Sequence, residues 1–68
     1  MVILSENDSN FIKKNFEKPD EMINNYSLDE ILMAIDELIT FKGFNSNYEY
    51  NDFGREAQKV YDNIYNNN

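Results

Sequence analysis

The stretch "YSLDEILMAIDELITFKGF", Tyr26 to Phe44, leaves the chain little choice in how to fold. Ser27 followed three positions later by Glu30 forms a capping box, in which each side chain satisfies a backbone N–H of the first helical turn. Tyr26 and Ile31 are placed to close a hydrophobic staple across it. Leu28, Ile31, Leu32, Ile35, Leu38 and Ile39 then recur at three- and four-residue steps, which lines them along one stripe of a helix. The pattern predicts a helix from 27 to 42 at the centre of the core. Its end is marked as clearly: Lys42 suits the negative pole of the helix dipole, Gly43 tolerates a left-handed cap, and Phe44 stands where a Schellman motif packs back on Ile39.

A second helix is predicted over 52 to 65, capped by Asp52 and carrying Phe53, Ala57, Val60, Tyr61 and Ile64 on one face. Gly54 falls in its first turn, where a missing side chain allows another backbone to come close. The segment between, "GFNSNYEYNDFG", is then a joint between two helices rather than a slack linker. Asn66, Asn67 and Asn68 read as a frayed tail, so the domain is expected to occupy 1–65 with 66–68 disordered.

The N-terminal third is less regular. Asp8 or Ser9 is a candidate cap for a short helix carrying Phe11, Ile12 and Phe16. Pro19 breaks it or opens another, favoured by Asp20 and Glu21, with Met22, Ile23 and Tyr26 as the inner side. The opening "MVIL" and the later "YEY" are the only strand-like runs. The expected fold class is therefore mainly α, a small bundle of three to four helices with room for a minimal two-stranded β element.

Composition supports one small folded domain. The 68 residues are 41% hydrophobic and 15% aromatic, too apolar for a disordered chain despite a net charge of -7. The apolar start is four residues long, far short of the ~20 needed for a membrane span or the roughly 7 of a signal core. The expectation is a cytoplasmic chain with no membrane association.

The residue inventory narrows the chemistry. With no histidine and no cysteine, nucleophilic catalysis would fall to a serine or threonine in no recognised motif, and Ser27 is better explained as a cap. No catalytic residues, no cofactor and no dedicated metal site are expected. Asp29 and Glu30 stand seven residues from Asp36 and Glu37, about 10.5 Å along the helix, too far to share one ion. Direct nucleic-acid binding is equally disfavoured, because the only basic cluster is Lys13, Lys14 and Lys18.

The acidic block is the informative feature. Between Pro19 and Phe41 there is no basic residue, while Asp20, Glu21, Asp29, Glu30, Asp36 and Glu37 contribute six negative charges. Seven acids and six bases remain elsewhere, so nearly the whole imbalance lies in this segment. With the apolar stripe turned inward, Asp29, Asp36 and Glu37 face outward with Met33 among them. Such a band is either a solvated helix face or a surface that meets a basic groove by imitating the phosphate charge of a nucleic acid.

The functional expectation is a non-enzymatic acidic interaction protein. It would bind a protein with a basic surface, such as a nucleic-acid-binding enzyme, in the manner of phage or mobile-element inhibitors of CRISPR or restriction systems. The comparison is one of type, and no motif ties the chain to a family. Asp29, Met33, Asp36, Glu37, Tyr48 and Tyr50 are the expected contacts, the two tyrosines as aromatic anchors or alternatively as a lid on the core. The rival is a regulatory, immunity-like or antitoxin-like subunit that acts through an apolar helix face or as a homodimer burying Phe11, Phe16 or Tyr61.

Overall fold

The computed structural model describes residues 2–47 and 49–68. Four helices follow one another among them: α1 (Glu6–Asn15), α2 (Pro19–Asn25), α3 (Leu28–Lys42) and α4 (Asp52–Asn67). The mainly α class is thus as expected, with no sheet. The α3 capping box forms, with Ser27 Oγ accepting from the Glu30 N–H at 3.2 Å and Glu30 Oε1 accepting from the Ser27 N–H at 3.1 Å. The same device opens α1, where Ser5 caps and Asp8 is the reciprocal partner, three residues before the expected start. Pro19 occupies the first turn of α2, where its missing N–H costs nothing.

One core joins the helices. Phe11 and Ile12 from α1, Met22 from α2, Ile31, Leu32, Ile35 and Ile39 from α3, and Ala57, Val60 and Ile64 from α4 are buried together. Leu28, Leu38, Phe53 and Tyr61 flank it half-buried. Asp29, Leu32, Met33 and Asp36 share a groove with Tyr61 and Tyr65, so the start of α3 meets the end of α4 and the two run antiparallel. α1 packs on α4 as well, through a Phe11–Phe53 stack at 5.9 Å and a buried polar tie. Asp8 is 1% exposed, and its carboxylate accepts from Asn63 Nδ2 at 2.8 Å and from the Ser5 N–H at 3.1 Å. A buried carboxylate is tolerable here because its Oδ2 accepts both hydrogen bonds.

The joint between α3 and α4 departs from expectation in an instructive way. Gly43 has φ -84° and ψ -1°, so it is not a left-handed cap. It is required by space: a Cβ on Gly43 would lie 2.6 Å from the Ile39 carbonyl oxygen and 3.1 Å from the Gly54 Cα, and a Cβ on Gly54 would run into the Gly43 carbonyl and lie 2.9 Å from its Cα. The two backbones touch where both residues lack side chains. Phe44, for its part, stacks on Tyr50 at 5.0 Å, the pair forming an isolated antiparallel bridge.

Asn51, not Asp52, caps α4. Its Oδ1 accepts from the Gly54 N–H and its Nδ2 donates to the Lys42 carbonyl, both at 2.7 Å, while its own N–H donates to the Gly43 carbonyl at 2.9 Å. One side chain therefore satisfies orphan groups at the end of one helix and the start of the next. Asp52 lies one position later and makes an exposed 3.6 Å ion pair with Arg55.

The chain ends also differ from expectation. Among the described residues, 2–4 do not pair with 49–50: the Ile3 backbone is held by the Asn68 amide, which accepts from the Ile3 N–H at 2.8 Å and donates to its carbonyl at 2.9 Å. Asn68 Nδ2 also reaches the Ile64 carbonyl at 2.7 Å, so the 66–68 segment expected as a frayed tail is helical through Asn67 and tied to residue 3.

Two outcomes test the joint. Gly54→Ala is expected to lower stability by about 3 kcal/mol, roughly 10–20 °C in a thermal melt, although alanine is the better helix former by about 1 kcal/mol. A neutral or stabilising alanine would mean that the helices do not touch there. Asn51→Ala is expected to cost about 1–2 kcal/mol and Asn51→Asp less, because aspartate keeps the acceptor for Gly54 while losing the donor to Lys42.

Candidate interaction face on the third helix

Fifteen residues of α3 place a buried stripe on one side and leave the opposite side to solvent. Asp29, Glu30, Asp36 and Glu37 are all exposed, and none has a lysine or arginine within ion-pair range among the described residues. Asp29 and Asp36 line the flank toward α4, in the groove shared with Leu32, Tyr61 and Tyr65. Glu30 and Glu37 line the other flank, in a shallow depression with Tyr26 and Ala34. Met33 lies between, lining both, and is 64% exposed. The result is an apolar crest between two rows of carboxylates without a cationic partner among the described residues.

Of the residues expected to act together, the structure assembles Asp29, Met33, Asp36 and Glu37 on this one helix surface. Tyr50 is set apart. It stacks on Phe44 at the α3–α4 corner, beyond the end of α3, its hydroxyl 3.5 Å from Gln58 Oε1. It is 42% exposed and so is not a lid on the core. Tyr48 lies outside the described residues. Phe11, named as a possible dimer contact, is buried against Phe53 and unavailable, while Phe16 and Tyr61 are half-buried at opposite flanks of α3.

Sequence reasoning passed over two exposed aromatics beside this face. Tyr65 is 63% exposed and adds an aromatic wall to the Asp29–Asp36 groove. Phe41 stands nearly free of the protein near the end of α3. The signal for Phe41 was present, since two positions after Ile39 it turns some 200° away from the buried stripe, where a large apolar side chain gains nothing from the core. Tyr65 carried no such signal, because one turn beyond Tyr61 it continued the inner face.

Among the described residues no three acidic, histidine or cysteine side chains converge on a point, and no buried side-chain polar atom lacks a hydrogen-bond partner. No helix is long and apolar enough to cross a membrane.

Removing the outward groups should therefore leave the fold intact. Met33→Ser, Asp36→Asn and Glu37→Gln are each expected to change stability by no more than about 0.5 kcal/mol in chemical denaturation. Leu32→Ala or Ile35→Ala, one step round the same helix, is expected to cost about 2–4 kcal/mol. No protein-family model, no curated protein and no solved structure matches the chain, so the reading of this face rests on its own residues.

Proposed function

We propose that this chain is a non-enzymatic acidic interaction protein that binds a basic protein surface through the outward face of α3. The observation that carries the reading is the exposed Met33 set between carboxylates that have no lysine or arginine in ion-pair range among the described residues. Four uncompensated charges on one face attract a basic surface from a distance and speed encounter, while contributing little once solvated at the rim. The anchoring contact falls to Met33, a flexible and polarisable side chain suited to an irregular apolar surface, together with the Tyr61 and Tyr65 rings across the groove. Arginine is the best-matched partner residue, since its guanidinium pairs with Asp29 or Asp36 and stacks on a tyrosine ring.

The finer form of the reading is inhibition by imitation of nucleic acid, with the acidic face occupying the groove of a nucleic-acid-binding enzyme as phage and mobile-element anti-defence proteins do. Its support is the confinement of the net charge to the segment containing α3. The spacing argues for a modest version of it. Two pairs of carboxylates about 10.5 Å apart along the axis are far sparser than the phosphates of a duplex, one charge per about 1.7 Å, so the apolar crest must share the work.

Capture of a partner from the source cell on the immobilised chain, followed by a salt gradient, tests the proposal. The partner is expected to be a basic protein, to elute as salt rises, and to be lost from a column carrying Asp29→Asn, Asp36→Asn and Glu37→Gln together. A partner retained by the triple variant, or indifferent to salt, would exclude the acidic face as its binding site. Competition by added DNA or RNA for that partner would support the mimicry form.

A further inference from the structure

The groove between α3 and α4 has a repeat and a charge that together describe what fits it. It is an open channel of about 350 Å³ between Asp29, Leu32, Met33 and Asp36 on α3 and Tyr61 and Tyr65 on α4. Leu32 is buried at its floor, while Met33 and Tyr65 are more than half exposed at its sides. Asp29 and Asp36 are seven positions apart, which returns them to one side of α3 about 10.5 Å from each other, with Leu32 and Met33 midway. Neither aspartate has a lysine or arginine in ion-pair range among the described residues. On the opposite flank Glu30 already gives one oxygen to the Ser27 N–H.

We infer that this groove seats a basic amphipathic helix of the partner protein. Two of its arginines or lysines, seven positions apart, lie over Asp29 and Asp36, and an apolar side chain between them lies over Leu32 and Met33. The inference rests on the reading of α3 as an acidic interaction face, and adds which element of the partner that face receives.

The repeat selects the element. A helix puts residues i and i+7 on one side about 10.5 Å apart, with i+3 and i+4 between them, which is the pattern α3 itself presents. A strand puts its same-side residues about 6.6 or about 13 Å apart. A polyproline segment, with three residues per turn, spaces them about 9.3 Å apart but leaves none between them on that side to cover Leu32 and Met33. Charge selects the sign, because a helix bearing carboxylates, a second copy of α3 included, would be repelled by both aspartates. The tyrosine wall suits the same occupant: the stem of an arginine packs on aromatic surface while its guanidinium stays with the carboxylate. The partner helix then lies as a third rod in the valley of two antiparallel ones, a helix-in-groove mode of recognition.

Titration of the isotope-labelled chain with synthetic peptides held helical by an outer staple, followed by nuclear magnetic resonance, tests this. One alanine-rich peptide carries arginine at i and i+7 with leucine at i+4. The other has the same composition with arginine at i and i+5, on different sides of the helix. The first is expected to bind about tenfold more tightly or better, with shifts centred on Leu32, Met33, Tyr61 and Tyr65. Asp29→Asn together with Asp36→Asn is expected to raise its dissociation constant about tenfold, and Tyr65→Ser about threefold, with circular dichroism close to the parent. Equal affinity for the two peptides, shifts confined to the Glu30 and Glu37 flank, or no shifts up to about 1 mM peptide would overturn the inference. The partner column separates it from the broader reading. A basic partner that is lost from the triple carboxylate variant but fully retained by Tyr65→Ser keeps the acidic face and rejects the groove, whereas loss from both supports the helix seat.

Discussion

The contact between Gly43 and Gly54 is the constraint on which the rest of the arrangement depends. It brings the end of α3 against the start of α4 at backbone distance, which only two residues without side chains permit. Asn51 fixes the contact chemically by hydrogen-bonding the Lys42 carbonyl and the Gly54 N–H with the two ends of one amide. With that corner set, the antiparallel course of the two longest helices follows, and Ile31, Ile35 and Ile39 are brought into one core with Ala57, Val60 and Ile64. A chain this short buries too little surface to tolerate a loose corner.

The same corner decides which surfaces are free. Once α3 gives its stripe to α4 and to the N-terminal helices, its outer side has no neighbour, and the residues there answer to solvent or to a partner. Those residues are not uniformly polar, as a purely solubilising face would be: Met33 and Phe41 interrupt the carboxylates, and Tyr65 adds to them from α4. The two flanks then separate by charge. One is acidic only, and the other combines an acid and a base around an apolar notch.

How much of this was legible beforehand depended on how local each signal was. The α3 start was readable to the residue because Ser27 and Glu30 satisfy each other within one turn. The stripe was readable because periodicity needs no knowledge of the partner helix. Gly43 was recognised as a boundary but for the wrong reason, since its backbone is right-handed and its missing side chain makes room for the Ile39 carbonyl one turn back and for Gly54, eleven positions away, an approach that no local rule reports. Asn51 was overlooked in favour of Asp52 for the same cause: either suits a cap, and the deciding factor is the Lys42 carbonyl of the preceding helix. Asn68 looked like tail until its amide met the Ile3 backbone across 65 positions. At the face, the carboxylates and Met33 were found from the helical wheel alone. Tyr65 required the α3–α4 packing, and Tyr50 was drawn away by its stack on Phe44.

The most direct test is a nuclear Overhauser spectrum of the unmodified chain in dilute solution. Strong cross-peaks between the α-protons of Gly43 and those of Gly54 are the expected result, accompanied by contacts from the Asn51 side-chain amide to the end of α3. Their absence, with both helices otherwise intact by their sequential amide contacts, would contradict the joint and with it the placement of every surface described on α3.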